Sequence, residues 1–258
     1  GNDTDYTIGT DGTIAAVALE DGYGDEFGII KGEEAYLNIN TIIKNIDKRF
    51  YVDATNNLVM FTDATKTYKT KIGGKTINET ENTDYVISFM DGKNCYVNVK
   101  FVKKYVDFDY KVVKAEGKSP ARIVLKYTSG EKNQMTVKSN IEMRTKADYQ
   151  NLIVTTLKKN TKVTVLEESG DWTKVGTDDG FMGYVPAKKL KDKETKKTEF
   201  KSDADTYTHV LMNKKISLGW NAITNLTANG NLETIIEHTK GLMLFLQHGI
   251  LCLTIKAT

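Results

Sequence analysis

The chain has 258 residues, 40% of them hydrophobic and 27% charged, with 36 Lys and Arg against 34 Asp and Glu for a formal net charge of +2. That length predicts roughly two or three modules, and the composition supports a packed core in each rather than a disordered ground state. Arginine occurs only as Arg49, Arg122 and Arg144, which argues against a nucleic-acid partner, because phosphate and guanine readout favours arginine on a net basic face.

Cys95 and Cys252 are too few for a disulfide framework and supply no thiolate metal site. His209, His238 and His248 all fall in the last fifth of the chain, so the first 208 residues contain no imidazole for general-base work or metal ligation. No motif calls for a cofactor. The chain opens at Gly1 with Asn2, Asp3, Thr4 and Asp5 instead of a basic and then apolar leader, so the signal expected of an exported product is absent from this sequence. The longest apolar run, Leu242 to Ile255, is broken by Gln247, His248 and Gly249 and falls short of the ~18 to 20 residues a spanning helix needs. No membrane span is predicted.

Taken in order, residues 1–17 read as a flexible amino-terminal segment. Up to about Leu190 the chain is a succession of short β-rich runs, such as Leu58 to Phe61, Tyr85 to Phe89 and Arg122 to Leu125. They are separated by turn dipeptides, among them Asp21-Gly22, Gly73-Gly74 and Asp91-Gly92. Residues 18–128 contain an internal repeat. At an offset of 60, Tyr36-Leu37-Asn38-Ile39 faces Tyr96-Val97-Asn98-Val99, and Lys44, Asp47, Phe50 and Val52 face Lys104, Asp107, Tyr110 and Val112. Each copy reads as strand, short helical stretch, strand. Neither copy alone buries both of its faces, so the two are expected to pair into one α+β domain. Tyr36, Tyr96, Phe50 and Tyr110 read most simply as core packing. On these paired patterns, residues 18–128 resemble the small repeated domain named after the amino-terminal region of copper amine oxidases, a module of surface proteins in Gram-positive bacteria. The resemblance implies no copper or oxidase centre. Neither copy has that family's Val-Pro-Leu-Arg stretch.

Residues 135–191 predict a small β-barrel. Ile141 to Arg144, Leu152 to Leu157, Lys162 to Leu166, Trp172 to Val175 and Gly180 to Val185 form short runs joined by tight turns. Met143-Arg144, the Asn160-Thr161 turn, the Asp171-Trp172 pair and Gly183-Tyr184-Val185-Pro186 are similar to the bacterial Src-homology-3 domain. Where that family usually has Asn-Val-Arg and Gly-Trp-Val-Pro, this chain has Glu142-Met143-Arg144 and Gly183-Tyr184-Val185-Pro186. The resemblance implies peptidoglycan binding. Trp172 and Tyr184 are the candidates to stack on sugar or peptide, and Arg144 and Lys174 the candidates to pair a carboxylate. The plainer alternative places Trp172, Val175 and Val185 in the core.

Residues 192–206 mix lysines with Asp192, Glu194 and Glu199 and read as a solvated linker. Beyond them, Lys215 to Trp220 reads as a buried strand. Leu232, Ile235, Ile236 and Thr239 share a helical face closed by Gly241, and a second strand begins at Leu242. This βαβ pattern over residues 207–242 resembles the start of a glycoside hydrolase family 18 catalytic (β/α)8 barrel, left incomplete here. Residues 243–258 depart from that family. Shifting the reading frame of a compatible back-translation restores its Asn-Val-Ile-Ser-Pro-Thr-Trp, so this stretch is expected to be an out-of-frame tail.

The sequence thus predicts a mainly β protein: a non-catalytic, peptidoglycan-binding portion of a secreted, cell-wall-associated hydrolase. The catalytic D-x-x-D-x-D-x-E motif of the resembled hydrolases is absent from the chain. The unpaired βαβ edges predict self-association through the carboxy-terminal fragment. A surface protein-interaction module without glycan binding is the alternative, and an unrelated enzyme hidden in the repeat is a third reading disfavoured by the absence of histidine there.

Overall fold

The structure, a computed structural model, describes residues 12–203, 239–246 and 251–257. The chain is mainly β, as its turn-rich sequence predicts. Its first compact unit, which runs through Phe200, opens with β1 (Gly12–Ala18) and the hairpin of β2 (Gly28–Lys31) and β3 (Glu34–Asn38). A helical turn α1 (Ile39–Thr41) widens over Ile42–Ile46 and closes where the Asp47 amide donates to the Ile42 carbonyl. Then come β4 (Phe50–Asp53), β5 (Leu58–Thr62), β6 (Thr67–Lys71), β7 (Thr76–Ile77) and β8 (Glu81–Asn82). The pattern restarts with β9 (Ser88–Asp91), β10 (Asn94–Asn98), α2 (Val99–Tyr105), β11 (Asp109–Val113) and β12 (Ala121–Lys126).

The repeat read from the sequence is physically a local two-fold. β3 and β10 lie side by side, antiparallel, with Leu37 opposite Val97, Tyr36 opposite Asn98 and Asn38 opposite Tyr96. Each copy therefore supplies the neighbour that the other lacks. Leu37 and Val97 point into the main core, while Tyr36 and Tyr96 pack on the opposite face with Ile29 and Phe89. Both strands end in a buried asparagine that caps the following helix: Asn38 Oδ1 accepts from the Asn40 amide at 2.9 Å, and Asn98 Oδ1 from the Lys100 amide at 2.8 Å. The shared core is aromatic at its centre, where Phe50 and Phe61 of one copy meet Phe101 and Tyr105 of the other. Tyr36, Phe50 and Tyr96 are buried and Tyr110 half-buried, as the packing reading predicts. Cys95 is buried in the same core, and burial pushes its thiol up to about 11.

The amino-terminal expectation needs correction. Gly12–Ala18 is an ordered strand inside a seven-stranded sheet of order β11-β12-β1-β2-β3-β10-β9, parallel to β12 and antiparallel to β2. Its small apolar residues, Ala15 and Val17, are fully buried. The polar residues that open the chain gave no hint of a strand so close behind them. β4 to β8 form a separate five-stranded sheet.

The second half of this unit is an antiparallel sheet built from β13 (Gly130–Val137), β14 (Ile141–Arg144), β15 (Ile153–Leu157), β16 (Lys162–Ser169), β17 (Trp172–Gly176), β18 (Met182–Pro186) and β19 (Leu190–Thr198). The strand order is β15-β14-β18-β17-β16-β13-β19. Val137, Met143, Leu157, Val163, Val175, Val185 and Leu190 form its core. The expected linker of residues 192–206 is corrected here, because its first part is β19, paired with β13 from Gly130–Thr198 to Val137–Leu190. Backbone hydrogen bonds do not depend on side-chain polarity, and charged residues are the usual occupants of a sheet edge. The lysine run is therefore solvated and β at once.

In the second unit, β20 (Thr239–Leu246) and β21 (Leu251–Ala257) form an antiparallel hairpin, with Leu242 opposite Ile255 and Leu246 opposite Leu251. The expected helix end at Thr239 and Gly241 is thus a strand, and the strand after Leu242 pairs locally instead of entering a parallel sheet. A break flanked by two β-rich apolar runs favours such local pairing. The other parts of the predicted βαβ unit, including Lys215 to Trp220 and Leu232 to Ile236, lie outside the described residues, as do all three histidines. Among the described residues no helix is long and apolar enough to cross a membrane.

Candidate binding face

The four residues singled out from the sequence converge on one face of β14, β18 and β17. Tyr184 of β18 stands between Arg144 of β14 and Lys174 of β17, directly opposite each. Trp172 lies two residues from Lys174 and opposite Pro186, which puts it on the same face. The reverse face carries Thr173, Val175 and Val185, all buried. Trp172 itself is only half-buried, so the core reading holds for Val175 and Val185 and not for the indole. Gly183 makes the close packing possible. A Cβ there would stand 2.6 Å from the Arg144 carbonyl oxygen and from Met143 Cγ, so only glycine lets β18 approach β14.

Sequence reasoning passed over Tyr149, Leu152 and Ile153 as site residues; Tyr149 meets Trp172 and Ile153 stands opposite Arg144, so these two extend the face. The three are 60%, 79% and 50% exposed, the largest outward apolar groups of this sheet. Tyr149 sits in the loop between β14 and β15 and meets Trp172 edge to face, with ring centroids 4.7 Å apart. The available signal was a lone aromatic in an otherwise polar loop, Thr145 to Asn151. Tyr149, Trp172, Tyr184 and Ile153 thus present a half-open apolar surface that reaches the terminal strand β15.

The two cations both make contacts within the chain. Arg144 donates to the Asn151 carbonyl at 2.8 Å, pairs with Glu142, and stands 5.9 Å from the Tyr149 ring centre. Its guanidinium fastens the loop that displays Tyr149. Lys174 Nζ donates to the Asp21 carbonyl at 2.8 Å and ties the face to the loop between β1 and β2. Each cation thus uses part of its donor set within the chain.

That loop belongs to a broad contact between the repeat portion and this sheet. The Met182 amide donates to the Tyr23 hydroxyl at 3.1 Å, and burial raises the Tyr23 phenol above its ordinary range. Ala18, Val124 and Met182 form a small shared core. Arg122 donates through Nε to the Asp179 carbonyl at 2.6 Å and stacks 4.0 Å from the Phe181 ring centre. Glu20 Oε1 accepts from the Tyr127 and Thr128 amides, each at 2.8 Å, and lies 3.4 Å from Lys132 Nζ. Burial alone would raise the Glu20 carboxyl. The hydrogen bonds from Thr128 and Tyr127, with Lys132 beside them, outweigh it and hold the group below its ordinary value.

A short, antiparallel, strongly turned sheet with an aromatic face beside its first long loop defines a Src-homology-3-like binding module. Residues 139–191 match the family described as Bacterial SH3 domain. A solved structure titled "Structure of NlpC2 from Trichomonas vaginalis" aligns with 13% identity and a TM-score of 0.23, over 81% of this chain and 53% of that one. This chain spans about half the length of that structure. No curated protein matches the chain.

Proposed function

We propose that the chain is a non-catalytic cell-wall-targeting module, extracellular and wall-associated, that holds peptidoglycan on the face formed by Trp172, Tyr149 and Tyr184. The observation that carries this reading is the exposure of Tyr149 against a half-open Trp172, on a segment matching the Bacterial SH3 domain family. Members of that family commonly bind cell-wall material, and aromatic faces of this kind suit the apolar faces of sugar rings and peptide stems. Arg144 and Lys174 act in this reading as positioning residues. The first orients the Tyr149 loop, and the second joins the face to the repeat portion.

The finer reading makes this module part of a glycoside hydrolase family 18-like enzyme and takes residues 18–128 as a copper amine oxidase N-terminal-like repeat. It rests on the sequence resemblances and, for the repeat, on the local two-fold of β3 and β10. Unambiguous codons for residues 243–258 that forbid the alternative frame would remove the support for the hydrolase part.

Sedimentation with purified peptidoglycan tests the main proposal. The chain is expected to pellet with the wall, and Trp172→Ala and Tyr149→Ala are each expected to weaken retention by about tenfold, the loss of one buried aromatic contact. Retention unchanged in both variants refutes the face. A second reading, docking of a protein partner, is favoured by the aliphatic exposure of Leu152 and Ile153 at the sheet's end. Failure of the unmodified chain to pellet would select it.

A further inference from the structure

Between β12 and the sheet of β13 to β19 lies a cleft of about 300 Å³ that the aromatic face does not use. Its floor is the stretch of sheet where Gln134, Thr164 and Gly176 stand opposite one another on adjacent strands. The volume falls at the lower end of the range for small-molecule sites.

Three features restrict what fits there. The charged lining is balanced, with Glu20, Asp109 and Asp178 against Lys126, Lys132 and Lys196. Two of these lysines are already paired, Lys132 with Glu20 and Lys126 with Asp178, at 3.4 Å each. A strongly charged ligand would gain little in such a neutral setting. Next, Gln134 Oε1 is shut off from bulk water and has no donor among the described residues, an expensive condition for an amide. Gln134 lines the cleft, and a turn about its broad terminal torsion is the movement by which a ligand there would reach the amide. Finally, the hydroxyls of Thr164 and Thr198 border the cleft beside the apolar surfaces of Leu19, Leu166 and Phe200.

We infer that this cleft is a second binding site, for a neutral sugar carrying an acetamido group. The acetamido N–H and C=O would satisfy the Gln134 amide, the sugar hydroxyls would meet the threonines and ion-paired side chains, and the ring's C–H face would lie on Phe200. The inference extends the wall-binding reading by a site separate from Trp172.

Amide-resolved NMR titration of the full chain with di-N-acetylchitobiose tests it. Saturable shifts are expected at the Thr164, Gly176 and Thr198 amides, with none from cellobiose, which lacks the acetamido group. Gln134→Leu should weaken binding about tenfold, the loss of one good hydrogen bond. Thr198→Tyr, which narrows the cleft from the exposed edge strand, should abolish it, and Trp172→Ala should leave it unchanged. The inference is overturned if no shifts arise, if cellobiose or trialanine produces the same shifts, or if the shifts gather at Trp172 and Tyr149 and vanish in Trp172→Ala. Peptidoglycan pelleting that persists without the disaccharide shifts sinks the cleft alone. Failure of pelleting with the shifts intact sinks the aromatic face alone.

Discussion

Glu20 offers the sharpest test of how the repeat portion and the Src-homology-3-like sheet are held together. Its Oε1 receives two backbone amides at 2.8 Å where the chain leaves β12, and its side chain is only 12% exposed. Hydrogen bonds to a charged acceptor are worth about 1.5–3 kcal/mol, whereas bonds to a neutral amide oxygen are worth about half as much. The Lys132 partner adds a few tenths of a kcal/mol at most, because its side chain is 34% exposed and the pair is screened. Glu20→Gln keeps a carbonyl acceptor and loses the charge, so about 1–2 kcal/mol is expected to disappear at neutral pH. In a unit of this size that corresponds to a fall in Tm of roughly 2–8 °C. The pH dependence fixes the cause. The folded carboxyl lies below its unfolded value, so its contribution is complete above the unfolded pKa and is lost as pH falls through the folded one. Thermal melts of the two proteins should therefore differ at neutral pH and converge in acid. Equal melting at neutral pH, or a gap that persists unchanged in acid, would refute the reasoning.

Asn98→Ala should cost more than Asn38→Ala, about 2–3 against 1–2 kcal/mol in urea titrations. Both lose a helix cap, but Asn98 also donates to Glu34 at 3.0 Å, while the donor contacts of Asn38 are long at 3.4 Å. Gly180→Ala places a Cβ 2.7 Å from Val124 Cγ2 at a φ of +86°, and a loss of about 1–3 kcal/mol is expected in the same titrations. Retention on peptidoglycan should fall only modestly from low to high salt, because apolar contacts carry the proposed face and Arg144 and Lys174 act there mainly by holding loops in place. A steep decline would return those cations to the ligand.

Much of this fold was legible in advance, and the exceptions share a physical origin. The repeat was readable because each copy must present the same faces to the same neighbours, so Tyr36 and Tyr96, or Asn38 and Asn98, recur at a fixed offset. Arg144, Trp172, Lys174 and Tyr184 were readable as separate candidates, while their common face follows from the pairing of β14, β18 and β17, which the sequence does not state. β1 and β19 escaped notice because pairing partners decide them more than composition does. β1 is a run of small residues between β2 and β12, and β19 is a charged run zipped to β13. The mistaken helix end at Gly241 has the same source, since a glycine that suits a helix terminus is also tolerated inside a locally paired hairpin. Tyr149 was missed because a loop residue has no periodicity to reveal its direction.

The cations show why residue type alone does not fix the chemistry of this face. A guanidinium beside aromatic rings invites the reading of a carboxylate receptor, but its donors are directional and a nearby carbonyl satisfies them first. Asn151 and Glu142 hold part of the Arg144 fork and Asp21 one of the three Lys174 donors, so a carboxylate at either cation would share it with contacts that hold the site in shape. Releasing Arg144 would free the Tyr149 loop and so dismantle the surface the ligand is meant to meet. In the proposed reading, shape and apolar contact from Trp172, Tyr149 and Tyr184 lead recognition on this face, with the cations in support. The inferred cleft is a separate source of polar selectivity, because Gln134 Oε1 has no donor among the described residues and the lining leaves out the residues that hold the face together.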